Sequence, residues 1–267
     1  MNHYIYETTS YERYRLNFEE TMVSYELPQK IYERFFLGES FMKHPIFAYR
    51  LGVGSTKFLF TGGVHGRESI NSFALLSILK YYASHFTCYK DWFFSHTLYI
   101  LPMLNPDGYF ISLSDPTWKN NGRDVDLNRN FPCKLWKKKW HTDAPLSEPE
   151  SNILVNFFNQ VRPDYYFDIH SRGKGIYYYR NTMPDSYNKA QEEVAKKLAT
   201  CMEYTLFPPS EEVKEGDSGG NTVQYFAETY QKPAFTIETV PDEVDFPIPL
   251  SYLPEVFSDL LDFLFLF

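Results

Sequence analysis

The residues whose types and spacing offer chemistry most directly are His65 and Glu68, three apart in the run Thr61-Gly62-Gly63-Val64-His65-Gly66-Arg67-Glu68. At the first turn of a helix they share one face, so an imidazole and a carboxylate can meet at one point. A borderline cation such as zinc takes that mixed nitrogen and oxygen set, usually with a third protein ligand and one position left for water. A helix start with a macrodipole-favoured Glu and a surface His would look the same, so the pair gains meaning only from its companions. His170, at the end of the apolar run from Tyr165, supplies a second imidazole and completes a His₂Glu set. Glu238 stands in the apolar run Phe235-Thr236-Ile237-Glu238, where a carboxylate must be paired or shift its pKa. Its expected task is general base: it takes a proton from the attacking water and delivers it to the leaving amine.

The stretch Arg123-Asp124-Val125-Asp126-Leu127-Asn128-Arg129-Asn130-Phe131 offers what the ligands lack. The Arg129 guanidinium presents a planar fork for a carboxylate, and Asn128 adds an amide donor. Arg123 is placed to meet an oxygen that turns negative as water attacks a carbonyl. Asp126 is a candidate acceptor for the free ring N–H of a metal-bound His, which would fix its tautomer.

Residues this far apart must be gathered by the elements around them. Lys57–Phe60, Leu98–Leu104, Tyr165–His170 and Ala234–Val240 read as short buried strands bounded by turn residues. Tyr32–Leu37, Ile46–Leu51 and Ile176–Tyr179 read as further strands. Helical spacing covers Tyr4 to about Tyr32, Asn71–Phe86, a segment opened by Ser147-Glu148-Pro149-Glu150 with Ser147 as N-cap, Tyr187–Met202, Val223–Tyr230 and Leu253–Phe267. Asn105-Pro106-Asp107-Gly108 reads as a turn, and Ser112–Pro145 shows little periodicity. Strands alternating with helices predict an α/β fold. The expectation is a single domain over residues 1–267, with a mixed, mostly parallel twisted sheet flanked by helices on both faces. Each marked residue then follows or ends a strand, and in such a sheet those carboxyl ends converge on one side.

Composition narrows the partners. The 267 residues are 43% hydrophobic and 22% charged, ordinary for a globular chain with a sizeable core. A net charge of −8 argues against nucleic acid or an anionic membrane, since both need a basic patch. The short cluster Lys134, Lys137, Lys138 and Lys139, interleaved with Trp136 and Trp140, reads as a solvated loop. No apolar run reaches membrane-spanning length. Cys88, Cys133 and Cys201 are widely spaced and odd in number, and Met1–Ser10 lacks a basic-then-apolar leader pattern. Together these predict a reducing, cytoplasmic setting.

With these residues in view, the chain resembles the M14 family of zinc carboxypeptidases. The motifs run in family order: His65-Gly-Arg-Glu68, Asn105-Pro-Asp-Gly108, Asp126-Leu-Asn128-Arg129-Asn-Phe131, Ser147-Glu-Pro-Glu150, His170-Ser171, Ser218-Gly-Gly220 and Phe235-Thr-Ile-Glu238. The resemblance implies one zinc on His65, Glu68 and His170. It implies Asn128 and Arg129 on a terminal carboxylate, Arg123 on the scissile carbonyl, and Glu238 as base. His170-Ser-Arg-Gly173, Ile176-Tyr177-Tyr178 and the Pro-rich Pro241–Pro249 resemble the bacterial branch that cuts γ-D-glutamyl-diamino acid bonds of cell-wall peptides. On that likeness the partner is a murein-derived peptide, Arg172 meets the extra carboxylate of meso-diaminopimelate, and Thr222 faces the side-chain pocket. One departure stands out: Glu215 occupies the position where many members carry a Tyr that closes over substrate. Alternatives are a general carboxypeptidase on ordinary peptides, a zinc N-acyl amino acid deacylase, or a binding module that has kept only the fold.

Overall fold

The computed structural model describes residues 10–138, 142, 144–212 and 219–267. Its strands are β1 (Tyr32–Glu39), β2 (Pro45–Gly52), β3 (Thr56–Gly62), β4 (His96–Leu101), β5 (Tyr165–Ser171), β6 (Gly175–Tyr177), β7 (Thr205–Leu206) and β8 (Ala234–Thr239). They form one eight-stranded sheet in the order β1-β2-β4-β3-β5-β8-β6-β7. The middle four, β4, β3, β5 and β8, are mutually parallel, while β1, β2 and β6 pair antiparallel towards the edges. The helices are α1 (Tyr11–Ser24), α2 (Ile70–Ser84), α3 (Phe86–Ser95), α4 (Pro106–Ser112), α5 (Pro149–Val161), α6 (Asp185–Met202), α7 (Pro209–Glu212), α8 (Thr222–Tyr230) and α9 (Leu253–Leu261).

Period-two alternation in the middle strands builds two cores, one on each face. Phe58, Phe60, Phe167, Ile169, Phe235 and Ile237 point into the layer formed by α1, α2, α3, α6 and α9. Leu59, Tyr166 and Ala234, the alternate residues, point into the layer formed by α5 and α8. Each fully buried Phe contributes roughly 1.5–3 kcal/mol by leaving water. Among the described residues no helix is long and apolar enough to cross a membrane.

The expected α/β fold and sheet are therefore present, with local differences. The first helix begins at Tyr11, where the Ser10 hydroxyl accepts from the Arg13 N–H, and it ends at Ser24. The expected residues 4–9 lie outside those described. Asn105-Pro-Asp-Gly108 starts a helix rather than making a turn: Asn105 is its N-cap, accepting from Gly108 N–H at 2.8 Å, with Pro106 in the first turn. Glu148, not Ser147, caps α5, because Pro149 takes the first helical position and the Ser147 hydroxyl is engaged by the Glu148 carboxylate. The final helix tightens into a 3₁₀ turn at Asp262. β4 stops at Leu101, where Pro102 has no N–H to continue the ladder.

The chain leaves β3, runs out to β4 on one side, and returns to β5 on the other. This is a topological switch point, and a crevice opens beyond the carboxyl ends of β3 and β5. The functional candidates gather at that end.

Candidate metal centre and active site

After β3 the chain passes Gly62 and Gly63 and enters the 3₁₀ turn Gly66–Glu68. The backbone here lies so close to the start of α4 that a Cβ on Gly66 would sit 2.0 Å from the Gly108 carbonyl carbon. Only glycine permits that approach. Gly66 N–H donates to Lys119 O at 3.2 Å, and Asn105 Nδ2 donates to Val64 O at 3.1 Å, so three loops fix the turn that carries His65 and Glu68. On the sheet side, register places His170 opposite Glu238 across β5 and β8.

His65, Glu68 and His170 meet as the sequence predicts. One ligand atom from each lies within 4.8 Å of the others. His65 Nδ1 is 2.9 Å from Glu68 Oε1, and His170 Nδ1 is 3.0 Å from Glu68 Oε2. Ser171 N–H donates to the same Oε2 at 3.1 Å. Both Nδ1 atoms and the carboxylate therefore face one point, while the outer ring nitrogens are held from behind. His65 Nε2 lies 3.2 Å from Asp126 Oδ1, as expected for that aspartate. His170 Nε2 lies 3.0 Å from Asp168 Oδ2, in an oblique ion contact rather than an aligned hydrogen bond. Two imidazoles and a carboxylate, each ring backed by a second carboxylate, are the donors and the orienting groups that zinc takes in hydrolases. The residues fit the ion.

Electrostatics agree with this arrangement. Burial opposes charge on all three groups, yet Glu68 and Asp126 raise the His65 pKa, and Asp168 with Glu68 raises that of His170 well above the ordinary value. Burial would raise Glu68 too, but the two imidazoles hold it far below the usual carboxylate range. Glu238 goes the other way. Desolvation, with Glu68 adding repulsion against the attraction of His170, pushes it up to about 8. Two kinds of carboxylate, one held ionised and one poised near neutrality, share a single cleft.

The remaining candidates divide. Asn128 follows Asp126 in the 3₁₀ turn Leu127–Arg129; its N–H donates to Asp126 Oδ1 at 3.0 Å, and its Oδ1 accepts from Thr222 N–H at 3.2 Å. The Arg129 carbonyl accepts from Trp136 Nε1 at 3.0 Å, next to Gly220, so Arg129 lies on the same wall. Thr222 departs from expectation. It is the first residue of α8, wholly buried, and its hydroxyl donates to Asp168 instead of facing a pocket, because Asn221 caps the helix and turns Thr222 inward. Arg123 departs as well: its guanidinium lies 3.6 Å from the buried Glu148 carboxylate and over the Phe41 ring. Lys119 does touch this cluster, its ammonium 2.7 Å from Asp126 Oδ2. Arg172 donates to the carbonyls of Asp242 and Val244 and lies over Phe246, against the Pro-rich segment. Glu215 and Ser218 lie outside the described residues.

Sequence reading missed Asp168, Asn71, Thr61 and Lys119. Asn71, wholly buried on α2, donates to Ser171 Oγ at 3.0 Å and accepts from Thr239 Oγ1 at 2.7 Å, tying the ends of β5 and β8. The available signal was polar residues inside otherwise apolar strands and at a helix start, which need buried partners.

A parallel-centred α/β sheet with a His₂Glu cluster at its switch point defines a metallohydrolase-like architecture. A family model described as zinc carboxypeptidase (Peptidase_M14) matches residues 26–262, and the chain belongs to that family. Gamma-D-glutamyl-L-diamino acid endopeptidase 1 of Lysinibacillus sphaericus is 21% identical, over 84% of this chain and 64% of its own length. The chain spans a little under two thirds of the length of the first curated relatives it matches. Among solved structures, thrombin activatable fibrinolysis inhibitor superposes with a TM-score of 0.81 at 22% identity, covering 96% of this chain and 72% of that one. Murein-tripeptide amidase MpaA of Escherichia coli O157 gives 0.60 at 20% identity, covering 85% and 91%.

Proposed function

We propose that this chain is a zinc-dependent metallopeptidase that hydrolyses the amide bond to a C-terminal residue, with γ-D-glutamyl-diaminopimelate of cell-wall peptides as its substrate. The observation that carries the hydrolytic reading is the convergence of His65, Glu68 and His170 within 4.8 Å beside a Glu238 whose pKa stands at about 8. His65, Glu68 and His170 would hold the zinc, which supplies Lewis acidity to a carbonyl and lowers the pKa of water. Glu238 accepts the proton of the attacking water and returns it to the leaving nitrogen. Asn128 and Arg129 hold the terminal carboxylate of the substrate. Lys119 balances the charge of Asp126, and the half-exposed Arg123 side chain reaches the carbonyl oxygen only by leaving Glu148.

The finer substrate assignment draws on the likeness to the L. sphaericus endopeptidase; Arg172, at the exit of β5, meets a second carboxylate only by leaving the Asp242 and Val244 carbonyls. A murein-derived peptide and a reducing compartment such as the cytoplasm belong to the same reading, in keeping with free thiols at Cys88, Cys133 and Cys201. The test is incubation with L-Ala-γ-D-Glu-meso-diaminopimelate beside a panel of ordinary peptides, with and without a chelator. Release of diaminopimelate that stops on chelation supports the assignment. Cleavage of ordinary peptides alone shifts it to a general carboxypeptidase, and no hydrolysis of either by zinc-loaded protein removes it.

A further inference from the structure

Asp168 is wholly buried, so its carboxyl oxygens must find partners within the protein. Thr61 Oγ1 donates to its Oδ1 at 2.5 Å, and the Thr222 hydroxyl and His170 Nε2 share its Oδ2. Thr222 uses its other polar group in the opposite direction, since its N–H donates to Asn128 Oδ1. From Asn128 the contacts continue through Asp126 Oδ1 to His65 Nε2, and Glu68 joins the two imidazoles on the inner side. The result is a closed circuit: His65, Glu68, His170, Asp168, Thr222, Asn128, Asp126. Thr222 carries the route that joins the imidazole on β5, through Asp168, to the residue assigned to the substrate carboxylate; the other route runs through Glu68, His65 and Asp126.

We propose that Asp168 and Thr222 are positioning residues that orient His170 and link it mechanically to Asn128, so that the metal ligands and the substrate-carboxylate residue are set as one unit. The inference rests on the metallopeptidase reading above. A carboxylate behind a ligating imidazole fixes the ring, and loss of such a partner typically weakens metal binding roughly 10- to 100-fold. Thr222 acts at one remove, by holding the carboxylate that holds the ring. The hydroxyl leg and the amide leg belong to the same residue, so a shift at one end is passed to the other.

The experiment measures zinc affinity of the full chain by competition with a chromophoric chelator, alongside thermal melts of the metal-free proteins. Thr222→Val keeps the volume and the amide leg but removes the hydroxyl donor, and Thr222→Ser restores the donor. Thr222→Val is expected to weaken zinc binding about 10-fold with a metal-free melt within a few degrees of wild type, and Thr222→Ser to recover it to within about 2-fold. Asn128→Ala, at the far end, is expected to weaken zinc binding several-fold in wild type and to add less than that in the Thr222→Val background. Equal zinc affinity in Thr222→Val and wild type, or strictly additive losses in the pair, overturns the link while leaving the hydrolytic reading intact. A wild-type protein that takes up no zinc overturns both.

Discussion

Glu238 differs from the other acids of the cleft in the direction of its titration, and that difference sets its expected behaviour. Its pKa of about 8 lies above the ordinary value because burial and Glu68 disfavour the charge, so without a cation it is largely protonated at pH 7. A divalent cation held beside it lowers that value, and hydrolysis then falls as pH drops through the lowered pKa. Glu238→Gln keeps the shape and removes the base. It is expected to reduce kcat by about 10²- to 10⁴-fold with zinc affinity held within a few-fold of wild type; a variant retaining more than a tenth of the wild-type kcat would rule out this assignment. The gathering of His65, Glu68, His170 and Glu238 was legible because each is an ionisable residue that follows or ends an apolar strand. Asp168 was not legible, because its meaning depends on Thr61, Thr222 and His170 arriving from three separate elements. For Arg123 and Thr222 the sequence gives residue type but not direction: Glu148 claims the one, and helix capping by Asn221 turns the other inward.

At the scale of elements, the ligand turn depends on two backbones passing almost in contact. Gly66→Ala would place a methyl group against Gly108 and push the 3₁₀ turn away from the sheet. The expected result is a loss of zinc affinity of at least 10-fold together with destabilisation of about 1–3 kcal/mol, read by chelator competition and denaturant melts. An unchanged affinity would mean that neighbouring loops yield instead. The order of the elements was readable from hydrophobic periodicity, since Phe58 and Phe60 alternate with Leu59 across two cores. Helix starts were less so: Asn105 stands one residue before a Pro and Ser147 two, and only three-dimensional contacts decide which neighbour takes the cap position. The separate helix α3 was invisible for a related reason, because its aromatic residues Phe86, Tyr89, Trp92 and Phe93 match several patterns at once.

For the molecule as a whole, a zinc ion bound as proposed would join metal and fold thermodynamically. Neighbouring carboxylates favour the protonated form of both imidazoles, whereas zinc takes them neutral, so metal and protons compete for the same nitrogens. Titration calorimetry at pH 7 in buffers of different ionisation enthalpy is expected to show net proton release on zinc binding. Affinity should weaken as pH falls; no proton release would contradict that competition. Zinc at about 1,000 times its dissociation constant adds about 4 kcal/mol to stability, a rise on the order of 10 °C in Tm. The distances explain why the effect is global. Glu68 and His170 stand 102 positions apart, yet their side chains touch where β3 and β5 end side by side. An ion seated there would work as a clasp across the seam of the molecule, and on the proposed reading the supply of metal would govern how long each copy survives as well as how fast it turns over.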